Sequence, residues 1–167
     1  MKKVLISALV CVWIFSSCLK GSNNASMCDY SPCAFVAPTS EVQAVQNYLT
    51  ANSITAVQHC SGMFYKIDAL GTGKTPTICS TISVRYTGKL SNGTVFDQQS
   101  APVAYSLTNL IAGWKNSLPL INVGGSIHLY IPPSLGYLNM DVRDANGTVV
   151  VPANSILIFD IDLTAVQ

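Results

Sequence analysis

The sequence predicts an α+β domain in which an antiparallel sheet of about five or six strands wraps around one short α-helix, preceded by a further helix. Three observations support this prediction. Short runs of alternating apolar residues recur from residue 63 onward, as is typical of strands buried on one face. One internal stretch, residues 108–118, has helical spacing, and an amphipathic segment at residues 40–51 precedes the strands. Strands that follow one another with little helix between them favour antiparallel pairing.

The composition fits one globular domain with an N-terminal extension. The chain has 167 residues, only 10% of them charged, and its formal net charge is +1. Because no basic stripe is present, the sequence gives nucleic-acid binding little electrostatic support. We expect the domain at residues 61–167, after a helical extension at residues 39–60.

Residues 1–18 have the pattern of a signal peptide, with two lysines, an apolar run and small residues before Cys18. The apolar run is short for a helix that spans a bilayer. Ordinary signal cleavage fits this pattern, but residues 15–18 also resemble a bacterial lipobox, in which Cys18 becomes lipidated. We expect lipidation at Cys18, with residues 19–38 as a tether. The protein would then lie in the cell envelope, anchored at the inner or outer membrane and facing the periplasm or the cell surface.

The extension contains one amphipathic helix. Ser40 and Gln43 have the spacing of a capping box, and Val45 and Leu49 recur at helical spacing. This helix either packs on the domain or forms a dimer contact, and packing is the more common role for a single short helix.

Four cysteines follow Cys18, and four cysteines in an exported protein suggest two disulfides. Three pairings are possible, and four free buried thiols are the alternative. We expect the pairs Cys28–Cys33 and Cys60–Cys79. No metal site is predicted, because the cysteine spacing lacks a second ligand pair. Neither histidine has a visible partner in the sequence, so both are expected to be structural or on the surface.

The strands and the internal helix are separated by clear turn signals. Asn92-Gly93 favours a two-residue type I′ hairpin turn, and Pro102 is expected to break the chain. Thr108 or Asn109 is the expected N-cap of the helix. Residues 134–150 are expected to form a long loop. The strands are predicted at residues 63–67, 77–87, 94–97, 103–107, 126–131 and 155–163.

The hairpin also suggests a site. Phe96 and Asp97 close its second strand, and Tyr86 lies across from them on the first. A carboxylate beside an aromatic ring, with a tyrosine opposite, is typical of an apolar pocket that contains a few polar groups.

Seven short motifs then occur in order along the chain. They are Tyr86-Thr87-Gly88, Asn92 to Asp97, Leu110 to Trp114, Val123 to Gly125, Ile131 to Tyr137, Val151 to Ser155 and Phe159-Asp160. Their combination resembles the FKBP-type peptidyl-prolyl cis-trans isomerases, or immunophilins, over residues 61–167. The anchored, helix-preceded arrangement is similar to bacterial surface or periplasmic members of that family.

The resemblance implies a proline-binding pocket and an isomerase that assists the folding of exported proteins. It implies Trp114 as the pocket floor, the Ile111 N–H and the Tyr137 hydroxyl as donors, and no cofactor. Expected partners are proline-containing segments of exported proteins and rapamycin-like macrolides. The implied catalytic residues are Tyr86, Phe96, Asp97, Ile111, Trp114, Tyr137 and Phe159, and the implied substrate-binding residues are Tyr105, Leu110 and Val151.

The chain departs from the family pattern at several positions. Tyr105 stands where phenylalanine is usual, and Leu138 where glycine is usual. No arginine matches the one that often pairs with the pocket aspartate, so Asp97 is expected to be oriented by Tyr86 or another neighbour. Because of the altered loop, a non-catalytic chaperone or adaptor that binds proline peptides on the same fold is the alternative function.

Overall fold

The computed structural model describes residues 28–167, so the predicted signal peptide, Cys18 and residues 19–27 lie outside the described residues. Across the described part of the chain, no helix has both the length and the apolar character needed to cross a membrane. The helices are α1 (Thr39–Ala51) and α2 (Ala112–Ser117), and the strands are β1 (Val57–Gln58), β2 (Phe64–Ala69), β3 (Thr81–Leu90), β4 (Val95–Ser106), β5 (Ser126–Ile131), β6 (Val142–Arg143), β7 (Val149–Val151) and β8 (Leu157–Val166).

Six strands form one antiparallel sheet in the order β1-β2-β5-β8-β3-β4, and β6 pairs with β7 in a separate small hairpin. Alternate residues of the central strands point to the inner face, where Val84, Leu129 and Ile161 are buried together with Trp114 and Leu118 from α2 and the turn after it. This arrangement confirms the predicted fold class.

The outer face of the sheet is partly covered by α1. Val45 and Leu49 of α1 are buried against Phe64, Tyr130 and Ile158, which lie on three adjacent strands of the sheet. Packing on the domain is therefore the role of this helix within the described chain.

The predicted capping box of α1 is wrong. Pro38 occupies the N-cap position, and no side chain caps the helix. Glu41 has a different partner, because its carboxylate accepts a hydrogen bond from the backbone N–H of Ser134 at 2.8 Å.

The turn between β3 and β4 also differs from the prediction. A type I′ turn needs two central residues with positive φ, but of the pair Asn92-Gly93 only Gly93 has one, at 87°. The Gly93 N–H donates to the Leu90 carbonyl, and the Leu90 N–H donates to the Thr94 carbonyl, both at 2.9 Å. The loop is therefore the three-residue kind, a turn followed by a left-handed glycine.

Pro102 does not interrupt β4, which runs unbroken from Val95 to Ser106. Its pairing with β3 shifts register, since Val84 pairs with Val103 and Tyr86 pairs with Gln99. Because β4 is at the edge of the sheet and irregular here, a residue without an N–H is tolerated.

The internal helix is shorter than predicted, and neither Thr108 nor Asn109 is its N-cap. Both belong to a separate 3₁₀ turn, and the backbone of Leu110 is extended, with φ of −90° and ψ of 167°. Ile111 is consequently the N-cap of α2.

The predicted disulfide pairing is wrong, although the same four cysteines are bonded. Cys28 pairs with Cys79, and Cys33 pairs with Cys60, with Cα–Cα distances of 5.3 and 5.5 Å. The reason is that residues 28–38 do not form a free tether. They lie against the domain, where the Tyr30 hydroxyl donates to Asn116 Oδ1 at 2.6 Å and the Ala37 N–H donates to the Ser61 carbonyl at 2.9 Å.

Both histidines have partners that the sequence does not reveal, and neither lines the cavity described below, which agrees with the expectation that they are structural or on the surface. His128 lies between two carboxylates on the outer face of the sheet, with Nε2 against Asp68 and Nδ1 against Asp160. His59 Nδ1 lies 2.9 Å from the hydroxyl of Ser61.

Candidate active site

A concave cavity of about 240 Å³ opens between the start of α2 and the inner face of β3, β4 and β8. Aromatic and aliphatic side chains form most of its wall, and a few polar groups reach it. The lining residues are Tyr86, Asp97, Tyr105, Asn109, Leu110, Ile111, Trp114, Tyr137 and Phe159.

Trp114 is held rigidly at this cavity. Its side chain is 4% exposed, and its ring meets Tyr86 and Phe159 edge-on, each at a centroid distance of 5.2 Å. Edge-to-face pairs at this distance are favourable because the positive edge of one ring meets the negative face of the other. The indole is therefore fixed before any ligand enters.

Ile111 places a backbone donor at the cavity wall. As the N-cap of α2 it gives its carbonyl to the N–H groups of Trp114 and Lys115, at 3.1 and 3.2 Å. Its own N–H has no partner within residues 28–167. Because helix N-termini leave such donors unused by the helix, this group is available to a bound carbonyl.

A chain of hydroxyls forms the polar side of the cavity. The Tyr86 hydroxyl donates to Asp97 Oδ2 at 2.6 Å and lies 3.2 Å from the Tyr105 hydroxyl. Burial raises the pKa of Tyr86 well above its ordinary value, and the hydrogen bonds to Asp97 and Tyr105 raise it further. Tyr86 therefore remains a proton donor at all physiological pH values. Asp97 was expected to be oriented by Tyr86 or by another neighbour, and the structure shows that Tyr86 does so.

Tyr137 brings a second hydroxyl to the cavity from the loop after β5. Burial raises the pKa of Tyr137, and the nearby Asp97 adds to the effect, so its proton is retained. The next residue, Leu138, has a φ of 59°, in the left-handed region. The backbone thus adopts a glycine-like conformation at the position where the family resemblance predicts glycine.

Phe96 and Val151 do not lie on the cavity wall, although both were predicted site residues. Phe96 packs edge-on against Phe159 at a centroid distance of 5.5 Å but is not among the residues that line the cavity. Gly88 lies beneath this pair, since a Cβ there would come within 2.7 Å of Phe96 and 2.8 Å of Phe159. Val151 is 1% exposed and belongs to the core. Both residues support the wall rather than form it.

Asn109 lies on the cavity wall but was not predicted there. The sequence marked it as a helix N-cap, because asparagine is common at that position. The extended backbone at Leu110 separates it from α2 and leaves it at the rim. A cue for this placement was the resemblance itself, since Asn109 directly precedes the Leu110-Ile111 pair.

One group of residues in the described chain brings together side chains of the types that bind metal ions. Cys33, His59 and Cys60 offer ligand atoms within 4.8 Å of one another. The two cysteines are bonded to each other, so neither supplies the thiolate that a metal needs.

Comparison with known sequences identifies relatives of this chain. The sequence model of the family described as FKBP-type peptidyl-prolyl cis-trans isomerase matches residues 73–164. A probable FKBP-type peptidyl-prolyl cis-trans isomerase of Haemophilus influenzae is 40% identical over 110 residues, which are 64% of this chain and 44% of that protein. FkpA of Escherichia coli is 34% identical over 110 residues, 64% of this chain and 38% of that protein. The chain thus spans less than half the length of these relatives.

Solved structures share the fold. A peptidyl-prolyl cis-trans isomerase from Pseudomonas syringae superposes with a TM-score of 0.66 at 27% identity, covering 78% of this chain and 97% of that one. FkpA from Escherichia coli gives a TM-score of 0.65 at 29% identity, covering 77% of this chain and 60% of that one.

Proposed function

The chain belongs to the FKBP-type peptidyl-prolyl cis-trans isomerase family, and we propose that its cavity catalyses rotation about the peptide bond that precedes proline. The observation that carries this proposal is the position of Trp114. Its buried ring is held edge-on by Tyr86 and Phe159 and faces a hollow the size of a small ring with its flanking amides.

The reaction requires little covalent chemistry from the protein. Amide resonance gives the X-Pro bond a rotation barrier of ~18–20 kcal/mol, whereas the two isomers differ by only ≈ 0.5–1 kcal/mol. A catalyst therefore needs to favour the twisted amide over the planar one. No bond to the enzyme is made and no proton is transferred.

The apolar wall supplies the first part of that preference. The proline ring packs on Trp114, with Tyr105, Leu110 and Phe159 around it. A twisted amide has lost resonance, and its carbonyl is less strongly solvated than that of a planar amide. A site with few water-binding groups consequently favours the twisted state.

The donors supply the second part by holding the peptide on either side of the rotating bond. The free N–H of Ile111 donates to the carbonyl after proline, and the Tyr137 hydroxyl donates to another backbone oxygen. Tyr86 and Asp97 polarise the wall beside the rotating carbonyl. If such a contact is stronger in the twisted state by about 1.4 kcal/mol, it accelerates the reaction about tenfold.

A protease-coupled isomerisation assay with a proline tetrapeptide tests the proposal. Wild-type protein is expected to accelerate the cis-to-trans step at micromolar concentration. Trp114→Ala is expected to lower kcat/KM about 10- to 100-fold, because the ring's packing surface is lost. Exposed Val57→Ala, far from the cavity in β1, is the control and is expected to keep full activity. Absence of any acceleration by the wild-type protein would contradict the proposal.

A second candidate is a chaperone or adaptor that binds proline segments without useful turnover. The left-handed Leu138 favours it, because this residue follows Tyr137 in a loop whose conformation its side chain opposes. Measured peptide binding without acceleration in the same assay would select this candidate.

We propose further that the protein acts in the cell envelope. The lipobox-like residues 15–18 support this placement, as do the two disulfides, which are typical of oxidising compartments. Metabolic labelling with a radioactive fatty acid tests it: the intact chain is expected to incorporate label, and Cys18→Ser to lose it. Unlabelled protein in the soluble fraction would contradict lipidation.

The proposed substrates are proline-containing segments of exported proteins, and macrolides of the rapamycin type are proposed inhibitors. Both expectations rest on the shape and the aromatic lining of the cavity. Competition between rapamycin and a proline peptide in the assay above checks them together.

A further inference from the structure

The cavity contains one carboxylate that no cation neutralises. Asp97 is exposed and lines the cavity, and none of the six ion pairs formed within residues 28–167 involves it. Its hydrogen-bond partner is a neutral hydroxyl, that of Tyr86, which contacts Oδ2. Oδ1 has no hydrogen-bond partner in the same part of the chain. The cavity therefore has an uncompensated negative charge on its polar side.

Five of the six lysines and arginines of the described chain have other partners, and the sixth, Lys74, is not among the residues that line the cavity. Arg85 pairs with Asp162, Lys89 with Asp160, Lys66 with Asp68 and Arg143 with Asp141. Lys115 follows Trp114, but its ammonium lies 5.6 Å from the centre of the Tyr30 ring, and Lys115 does not line the cavity. Each of these contacts is away from the cavity lining, so none supplies a counter-charge to Asp97.

The hydroxyl chain adds acceptors rather than donors to this side. A tyrosine has a single O–H. Because Tyr86 gives its proton to Asp97, the 3.2 Å contact between Tyr86 and Tyr105 must be donated by Tyr105. The proton of Tyr105 is thereby used in a hydrogen bond within the cavity wall. The remaining lone pairs of the Tyr105 oxygen and the free Oδ1 of Asp97 are both hydrogen-bond acceptors. This side of the cavity accepts hydrogen bonds and attracts positive charge.

We propose, building on the isomerase function above, that the cavity selects prolyl peptides with a lysine or arginine beside the proline and disfavours those with glutamate or aspartate. A cationic side chain beside the proline lies within a few ångströms of the polar wall, close enough for direct attraction to an exposed carboxylate. The attraction acts in contact with solvent, so it is moderate and weakened by salt.

The test compares tetrapeptides of the form Ala-Xaa-Pro-Phe, with Xaa as Lys, Gln, Leu or Glu. Magnetisation-exchange NMR gives kcat/KM without a coupling protease, whose own preferences would interfere, and peptide titration gives Kd. For the wild-type protein at low ionic strength we expect the lysine peptide to exceed the glutamate peptide about three- to tenfold in both quantities. At 1 M salt the ratio is expected to fall below about twofold.

Two variants locate the source of the preference. Asp97→Asn keeps the size and an acceptor oxygen but removes the charge, and is expected to bring the lysine-to-glutamate ratio close to one. Asp162→Asn removes a carboxylate from the outer face of β8 and is expected to keep the wild-type ratio. Each ratio is taken within one protein, so it does not depend on how much total activity a variant retains.

The outcomes separate this inference from the proposed function. If no peptide is accelerated, the isomerase function fails, while the ratio of Kd values still decides the selectivity. A wild-type ratio near one in both quantities, or a preference that persists in Asp97→Asn, overturns the inference.

Discussion

The carboxylate of Glu41, in the first turn of α1, accepts a hydrogen bond from the backbone N–H of Ser134 at 2.8 Å. Ser134 lies in the 3₁₀ turn Pro133–Leu135, three residues before Tyr137. The helical extension, which lies outside the matched residues 73–164, therefore caps the loop that brings a hydroxyl to the cavity. An acidic group at the start of a helical turn is favourable because unused N–H groups point toward it.

Glu41→Ala is expected to lower the free energy of unfolding by about 1 kcal/mol, because a half-buried backbone donor loses a charged acceptor. It is also expected to speed amide hydrogen exchange at Ser134. Gln43→Ala is the matched control on the exposed side of α1, where only a contact with Asn47 is lost. Unchanged exchange at Ser134 in Glu41→Ala would show that the contact does not hold the loop in solution.

Leu138→Gly is expected to stabilise the protein. A left-handed conformation costs an L-residue roughly 1–2 kcal/mol, and glycine adopts it without that cost. Part of the gain is offset by the larger entropy of glycine in the unfolded chain, so the net increase is expected to be about 0.5–1 kcal/mol in urea unfolding. Leu138 is 47% exposed, so little burial is lost.

The control for that substitution is Leu70→Gly. Leu70 is 58% exposed and does not have a positive φ. Glycine there is expected to destabilise, because only the entropic cost remains. Equal effects at the two positions would argue against strain at Leu138.

Loss of the Cys28–Cys79 disulfide is expected to cost more stability than loss of Cys33–Cys60. The cross-links join residues separated by 51 and 27 positions, and a longer loop restricts the unfolded chain more. Chain entropy alone gives a difference of about 0.5 kcal/mol, measured by urea unfolding of the two double Cys→Ser variants.

Peptide mapping of the unreduced protein checks the disulfide connectivity on which that prediction depends. Linked peptides are expected to contain Cys28 with Cys79 and Cys33 with Cys60. A peptide that joins Cys28 to Cys33 would contradict the structure.

Protonation of Asp160, on the outer face of the sheet, is expected to lower the free energy of unfolding in acid. Partial burial raises the pKa of Asp160, but hydrogen bonds from Lys89 and His128 outweigh it, and the net pKa lies below the ordinary value. A carboxyl with a depressed pKa contributes stability that is present above its unfolded pKa of about 3.9 and is lost as the pH falls through the folded value.

Unfolding free energy measured against pH tests this contribution. Between pH 5 and 8 the contribution of Asp160 is expected to be constant. Because the Asp160 side chain is 36% exposed, this contribution is expected to be no more than about 1 kcal/mol. Lys89→Met is expected to move the acid-side loss to higher pH by removing one of the two partners. Identical acid limbs in the wild type and Lys89→Met would contradict the assignment.

Local patterns were enough to predict the sheet, and the family resemblance implied most of the cavity. Alternation along β3 places Tyr86 on the inner face, and the ordered motifs bring Trp114, Tyr137 and Phe159 to one cavity, as predicted. The facing of Tyr86 follows from strand periodicity. The meeting of Trp114, Tyr137 and Phe159 was implied by the resemblance that the ordered motifs carry.

Predictions failed where the answer depended on packing between distant segments. The disulfide pairing is set by where residues 28–38 lie on the domain, and sequence spacing does not encode that position. Phe96 and Phe159 are both aromatic residues at strand positions that pack over Gly88, but only Phe159 lines the cavity, and strand periodicity does not distinguish them. The spacing of Ser40 and Gln43 resembled a capping box, but α1 begins after Pro38 and no side chain caps it. The partner of the neighbouring Glu41 is 93 residues away, which sequence spacing does not encode.

Exchange NMR on a proline tetrapeptide with catalytic amounts of wild-type protein and of Trp114→Phe tests the central claim most directly. The wild-type protein is expected to raise the cis–trans exchange rate in proportion to its concentration. Trp114→Phe, which keeps a smaller aromatic floor, is expected to retain part of that rate. An exchange rate equal to that of the free peptide at micromolar wild-type protein would contradict the account.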